Sequence, residues 1–160
     1  MRDRRFVAVH RGGPLDSTKH RSLAMWAADC AEHVLPLFRK CSSDDRPQQA
    51  VDMARAWARG EISAGDARNA AVGAHAAARD VTSKSASAAA RAAGHAVATA
   101  HMADHSLGAS IYALNAVKAA NESAEVEWRW QLERLPDDVR ELAVSALGNP
   151  RFAKRSRDSD

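Results

Sequence analysis

Ser85-Ala86-Ser87-Ala88-Ala89-Ala90-Arg91-Ala92-Ala93-Gly94-His95-Ala96-Val97-Ala98 is a stretch in which alanine fills most positions and proline none. Alanine loses no side-chain entropy on entering a helix and is the best helix former. The β-branched and aromatic residues that favour strands are almost missing here. The segment therefore reads as helix. Its upstream neighbour does too, from Ser63, whose hydroxyl with Asp66 three residues on makes an N-terminal capping pattern, to about Asp80. The polar turn Thr82-Ser83-Lys84-Ser85 joins the two. Interaxial distance depends on the side chains at the contact. This alanine-rich central pair, with Gly73 and Gly94 on it, is thus expected to pack more closely than leucine-faced helices do.

Working outward, nothing forces a break between Ser85 and Asn121 except a dip around Met102 to Gly108, so two helices in series are expected over that span in preference to one bent helix. A further helix covers about 122–134, carrying Val126, Trp128, Trp130 and Leu132. Pro136-Asp137-Asp138 opens a last one that Gly148-Asn149-Pro150 ends. Upstream, Leu23, Trp26, Ala27, Cys30, Val34, Leu37 and Phe38 recur at three- and four-residue steps, predicting an amphipathic helix over 16–39 whose last turn Pro36 can kink. A second helix starts near Asp45, expected to cap it with Gln48 reaching back. It presents Ala50, Val51, Ala54, Trp57 and Ala58, and stops at Gly60. Residues 1–15, with Gly12-Gly13-Pro14 and no period, read as an extended arm, 16–150 as one helical domain, and 151–160 as a disordered basic tail. The expected fold is all-α, a single-domain bundle of six or seven helices, with Trp26, Trp57, Trp128 and Trp130 from the flanking helices filling the volume left by alanine.

Composition bounds the function classes. A chain of 160 residues with 46% hydrophobic and 27% charged residues can bury one substantial core and is too apolar for a disordered chain. The net charge of +3 comes from the ends, where Arg2, Arg4, Arg5 and Arg11 precede the core and Arg151, Lys154, Arg155 and Arg157 follow it. A nucleic-acid binder more often carries its basic stripe on an ordered element, so nucleic acid is an unfavoured partner. Cys30 and Cys41 lack metal-ligand spacing and read as reduced thiols. Phe6-Val7-Ala8-Val9 is too short for a signal-peptide core, and no stretch of about 18 apolar residues is present to span a bilayer. A cytoplasmic protein without membrane contact is expected.

The candidate chemistry centres on histidine. His101 and His105 are four residues apart and share a helix face, the geometry by which two imidazoles can hold one zinc ion. His95 or Asp104 would have to complete the site, and Met102 stands where a zinc protease places its glutamate base. Arg91, His95, Met102 and His105 also fall within one helical sector, as do Arg68, Val72, His75 and Arg79 on the preceding helix. Two Arg–His faces result. They are open to two readings: a polar groove for an acidic or phosphate-bearing partner, or a buried polar contact whose ring nitrogens bond internally while the arginines reach outward. Cys30 and His33 could touch, but Cys30 sits on the apolar stripe, where cysteine is an inert small hydrophobe. The Asp44-Asp45 and Asp137-Asp138 pairs sit where acids favour the positive end of a helix dipole. Gly12-Gly13 lacks the context of a phosphate loop. No catalytic set and no cofactor emerges.

Several landmarks recur together: His20-Arg21, Trp26-Ala27-Ala28, Cys30-Ala31-Glu32-His33-Val34-Leu35, Arg46-Pro47, Ala54-Arg55-Ala56-Trp57 and Gly60-Glu61-Ile62. They continue as Ala74-His75 to Arg79, Ala89 to His105, Leu107-Gly108-Ala109, Tyr112-Ala113, Trp130-Gln131 and Leu135-Pro136. With these the chain resembles, over roughly residues 5 to 140, a bacterial family of putative immunity proteins with an immunity-protein-five-like domain. The resemblance implies a non-enzymatic cytoplasmic protein that binds and neutralises a cognate toxin, and it carries over no catalytic residue. Partner-binding candidates from the residue pattern are Arg68, His75, Arg79, Arg91, His95 and His105, with Trp128 and Trp130, which cannot both lie on one buried stripe. The alternatives are a small metal-binding protein or hydrolase using His95, His101, Asp104 and His105, and a nucleic-acid binder using the basic ends.

Overall fold

A computed structural model describes residues 2–148. Among them are seven α-helices: α1 Ser17–Arg39, α2 Arg46–Ala58, α3 Ala64–Arg79, α4 Lys84–Ala98, α5 His105–Ala119, α6 Ala124–Arg134 and α7 Asp137–Leu147. They form one all-α domain. None is long and apolar enough to cross a membrane.

The alanine-rich α4 is the hub, packing against α1, α2, α3 and α5. Ala86, Ala89, Ala90, Ala92, Ala93, Ala96, Val97 and Ala98 are all buried, so nearly every side of the helix is covered. Only small side chains permit that, because four helices can crowd around one axis only where little stands between the backbones. Bulk comes from α1, whose Leu23, Trp26, Val34, Leu35 and Phe38 are almost wholly enclosed.

Local chemistry sets most boundaries. The side chains of Asp16, Ser63, Ser83 and Ser123 each accept a backbone N–H at the start of α1, α3, α4 and α6. Gly60, at φ +77, supplies the left-handed turn after α2. At the start of α2 the expected cap is displaced by one residue. Asp45 is already helical and its carboxylate accepts from the Gln49 side chain, while Asp44 takes the Arg46 N–H at 3.0 Å.

The span from 85 to 121 is two helices, and the break falls earlier than the dip in the sequence suggested, at 99–104, leaving Gly108 inside α5. His20 of α1 explains the position. Its Nε2–H donates to the Thr99 carbonyl at 2.6 Å, taking up one of the acceptors that a helix end exposes, and Thr99 Oγ1 donates to the His95 carbonyl.

The segment read as an extended arm over 1–15 curls instead into two 3₁₀ turns, Arg4–Phe6 and Val9–Arg11. Leu15 N–H bonds the Val7 carbonyl and Val9 N–H the Leu15 carbonyl, so the segment closes on itself with Phe6 wholly buried. Gly13 passes so close that a Cβ there would lie 2.0 Å from the Val7 carbonyl oxygen. The expected tail at 151–160 lies outside the described residues.

On α6 the tryptophans expected to fill the core volume are not the enclosed residues. Val126 is 62% exposed, Trp128 and Trp130 are half-buried, and the enclosed residues are Glu127 and Gln131. Apolar residues two apart on a helix point to nearly opposite sides, so Val126, Trp128, Trp130 and Leu132 could not share one face.

Candidate functional site

Four histidines form a row across the junction of α3, α4 and α5. His75 meets His95 edge-to-face at 5.3 Å between ring centroids, His95 meets His105 at 5.2 Å, and His105 meets His101 at 5.4 Å. Tyr112 of α5 stacks on His95 at 5.0 Å. The rings are half-buried, held between helices rather than displayed on one.

Two glycines provide the space. A Cβ on Gly94 would lie 2.7 Å from the His75 ring, and one on Gly108 would lie 2.6 Å from His95 Nδ1. Each imidazole therefore lies directly on a neighbouring helix backbone. His95 Nδ1 and His105 Nδ1 stand 3.1 Å apart, a distance at which one ring donates its N–H to the lone pair of the other. Two imidazolium ions could not make that bond.

Burial depresses the basicity of His75, with Arg91 and Arg79 adding to the effect. Burial does the same to His101, reinforced by Arg68, Arg11 and Arg2. His105 is lowered chiefly by burial, against a partial restoring pull from Asp104. Nδ1 of His75 and Nδ1 of His101 are enclosed without a hydrogen-bond partner among the described residues.

The arginines surround the row. Arg68 and Arg79 are exposed on α3 and Arg91 is half-buried on α4. The sequence pattern places the N-terminal basic residues on an extended arm. The folded segment instead brings Arg11 and Arg2 close enough to act on His101, with Arg2 Nε 3.6 Å from Asp104 Oδ2. Their approach depends on the burial of Phe6 and Leu15, and those two apolar residues in the lead-in were the available signal.

The geometry on which the metal reading rested does not form. His101 lies in the turn after α4 and His105 opens α5, so their four-residue spacing puts them on no common helix face. Asp104 pairs with Arg2. Among the described residues no three His, Cys, Asp or Glu side chains converge as a metal set would. Cys30 is wholly buried and burial pushes its thiol well above the ordinary range, while His33 turns to Glu127. The two do not form a nucleophile–base pair.

Trp130 occupies a second surface. Its ring lies flat on His33, 3.6 Å between centroids and 2° from parallel, and the Arg134 guanidinium sits 3.9 Å from its centroid. Trp128 packs against the core from α6. Beneath Trp130, His33 Nδ1 meets the Glu127 carboxylate at 2.7 Å, Gln131 Nε2 donates to Glu127, and the Ser110 hydroxyl donates to Gln131 Oε1. Burial raises the Glu127 carboxyl above its ordinary range, and His33 pulls it partly back. In the sequence Glu127 and Ser110 stand out in no pattern and Gln131 only as part of the Trp130-Gln131 landmark, because polar residues carry no burial signal of their own.

A family profile described as Imm-5 like putative immunity protein matches residues 13–138. That span takes in α1 to α6 and the whole histidine row, while Arg2 and Arg11 fall outside it. No curated protein and no solved structure matches the chain.

Proposed function

The chain belongs to the Imm-5 like putative immunity protein family, and from that premise we propose that it binds a cognate bacterial toxin in the cytoplasm and neutralises it by occlusion, with no chemistry of its own. The observation that carries this reading is the arginine-edged histidine row. Packing between three helices immobilises the rings, and the exposed Arg68 and Arg79, with Arg91 beside them, project from that fixed base. A preorganised surface loses less entropy on association, and arginine offers a rigid donor fork to carboxylates. The complementary partner surface is acidic, and such pairing speeds encounter and selects the partner. Trp130, held between His33 and Arg134, is an amphipathic anchor of the kind that dominates interface energetics.

The test is co-expression with a candidate toxin encoded near the gene for this chain. Cells making both should survive and the two proteins should co-purify. The double variant Arg68→Glu, Arg79→Glu should lower affinity about tenfold or more, mainly through slower association at low salt. Unchanged killing in cells that make both wild-type proteins would overturn the reading.

A further inference from the structure

A groove of about 360 Å³ opens at the N-terminus of α4, walled by Ser83, Lys84, Ser87 and Arg91 on one side and by Tyr112 and Asn115 of α5 on the other. That volume lies toward the small end of ligand-binding sites. Lys84 and Arg91 are cationic, and none of the described residues lining the groove is acidic. The first turn of α4 holds no acid either, so the positive end of the helix dipole has no carboxylate of its own there.

The other wall has the opposite demand. Asn115 is only 8% exposed, and its carboxamide oxygen has no hydrogen-bond partner among the described residues. A buried acceptor without a donor is costly, and in native structures it calls for an explanation. With the carboxamide oxygen in that position, the site asks for a hydrogen-bond donor. Ala119, the last residue of α5, lines the groove too. A bare anion satisfies the first wall and not the second.

We infer that this groove receives an acidic residue within a peptide segment of the partner: its carboxylate on Lys84 and Arg91, its backbone N–H donated to Asn115. The inference rests on the proposed protein-binding function. Tyr112 stacks on His95, an interior member of the histidine row, which sets the groove beside that row and makes it an anchor point for the same interface.

The experiment titrates the full ¹⁵N-labelled chain with capped acetyl-Gly-Glu-Gly-amide, with its Gln counterpart and with inorganic phosphate. The Glu peptide should shift the amides of Ser83 to Ser87 and the Asn115 side chain. The Gln peptide should bind about tenfold more weakly or worse, since the charge-assisted bonds are lost. Arg91→Gln, on the groove wall, should abolish the response, and Asn115→Leu should weaken it. Should Asn115→Leu not fold, Arg91→Gln decides alone. An equal response to phosphate, an equal response to the Gln peptide, or shifts confined to other regions would each overturn the inference. Full toxin protection by Arg91→Gln would also overturn it, without touching the immunity reading. Failed protection by the wild-type chain alongside intact peptide binding would sink the immunity reading and leave the groove standing.

Discussion

At the residue scale the decisive positions are the two glycines that carry the rings. His95 is bounded by His75, His105 and Tyr112, so it has nowhere to retreat from a Cβ that would approach its ring to 2.6 Å. Gly108→Ala should therefore destabilise the protein by about 1–3 kcal/mol, the usual range for overpacking a close-fitted core. Gly65→Ala serves as the contrast. Its Cβ would meet only Ser63 Oγ, at 3.7 Å, and alanine in place of glycine in a helix should add roughly 0.5–1 kcal/mol. Urea denaturation midpoints measure both, and a neutral Gly108→Ala would show that the row yields. Sequence reasoning saw that Gly94 lies on a close-packed helix and that His75, His95 and His105 belong together. It could not see that each glycine faces a histidine ring of another element, because that depends on register between helices.

At the scale of elements, α6 docks through polar groups. Glu127 and Gln131 are its buried residues. Gln131 receives the Ser110 hydroxyl at 2.5 Å, and its own backbone carbonyl accepts the Trp26 indole N–H at 2.9 Å. Gln131→Leu preserves volume but leaves the Ser110 hydroxyl without its acceptor and Glu127 without one of its donors. It should cost about 1–3 kcal/mol, seen as a lower denaturation midpoint at unchanged slope. A variant as stable as the wild type would mean that the network does not hold α6 in place. The α4–α5 break has the same character. The sequence carries only a dip that starts at Met102, and what marks the end of α4 at Ala98 is His20, donating to Thr99 from 79 residues away. No window of sequence contains both partners.

At the scale of the whole molecule, buried histidines couple stability to pH. Burial lowers His20, His75, His101 and His105 from the ordinary value of 6.5, so each binds a proton more readily in the unfolded chain than in the fold. Above that value both states are neutral at these sites and the stability is fully present. As pH falls through it the unfolded chain takes up protons first, and stability is lost until the folded values are passed. Glu127 acts in the opposite sense, because its raised carboxyl favours the fold as it protonates. Moving from about pH 7.5 to about pH 5.5 should lower Tm by roughly 5 °C, reversibly. A flat or rising Tm over that window would contradict the burial of these rings.

Propensity, capping and hydrophobic spacing act within a few residues, and they suffice for the all-α class, nearly every helix boundary and the alanine-rich hub. The residue pattern also marks the arginines and histidines as a group. Only the tertiary structure settles that the N-terminal segment folds back to bring Arg2 against Asp104 and Arg11 within electrostatic reach of His101, that α6 buries Glu127 and Gln131 in place of its tryptophans, and that His101 leaves the helix. Each of these is settled by contacts between residues distant in the chain, and a polar side chain is buried only where another element supplies its partner.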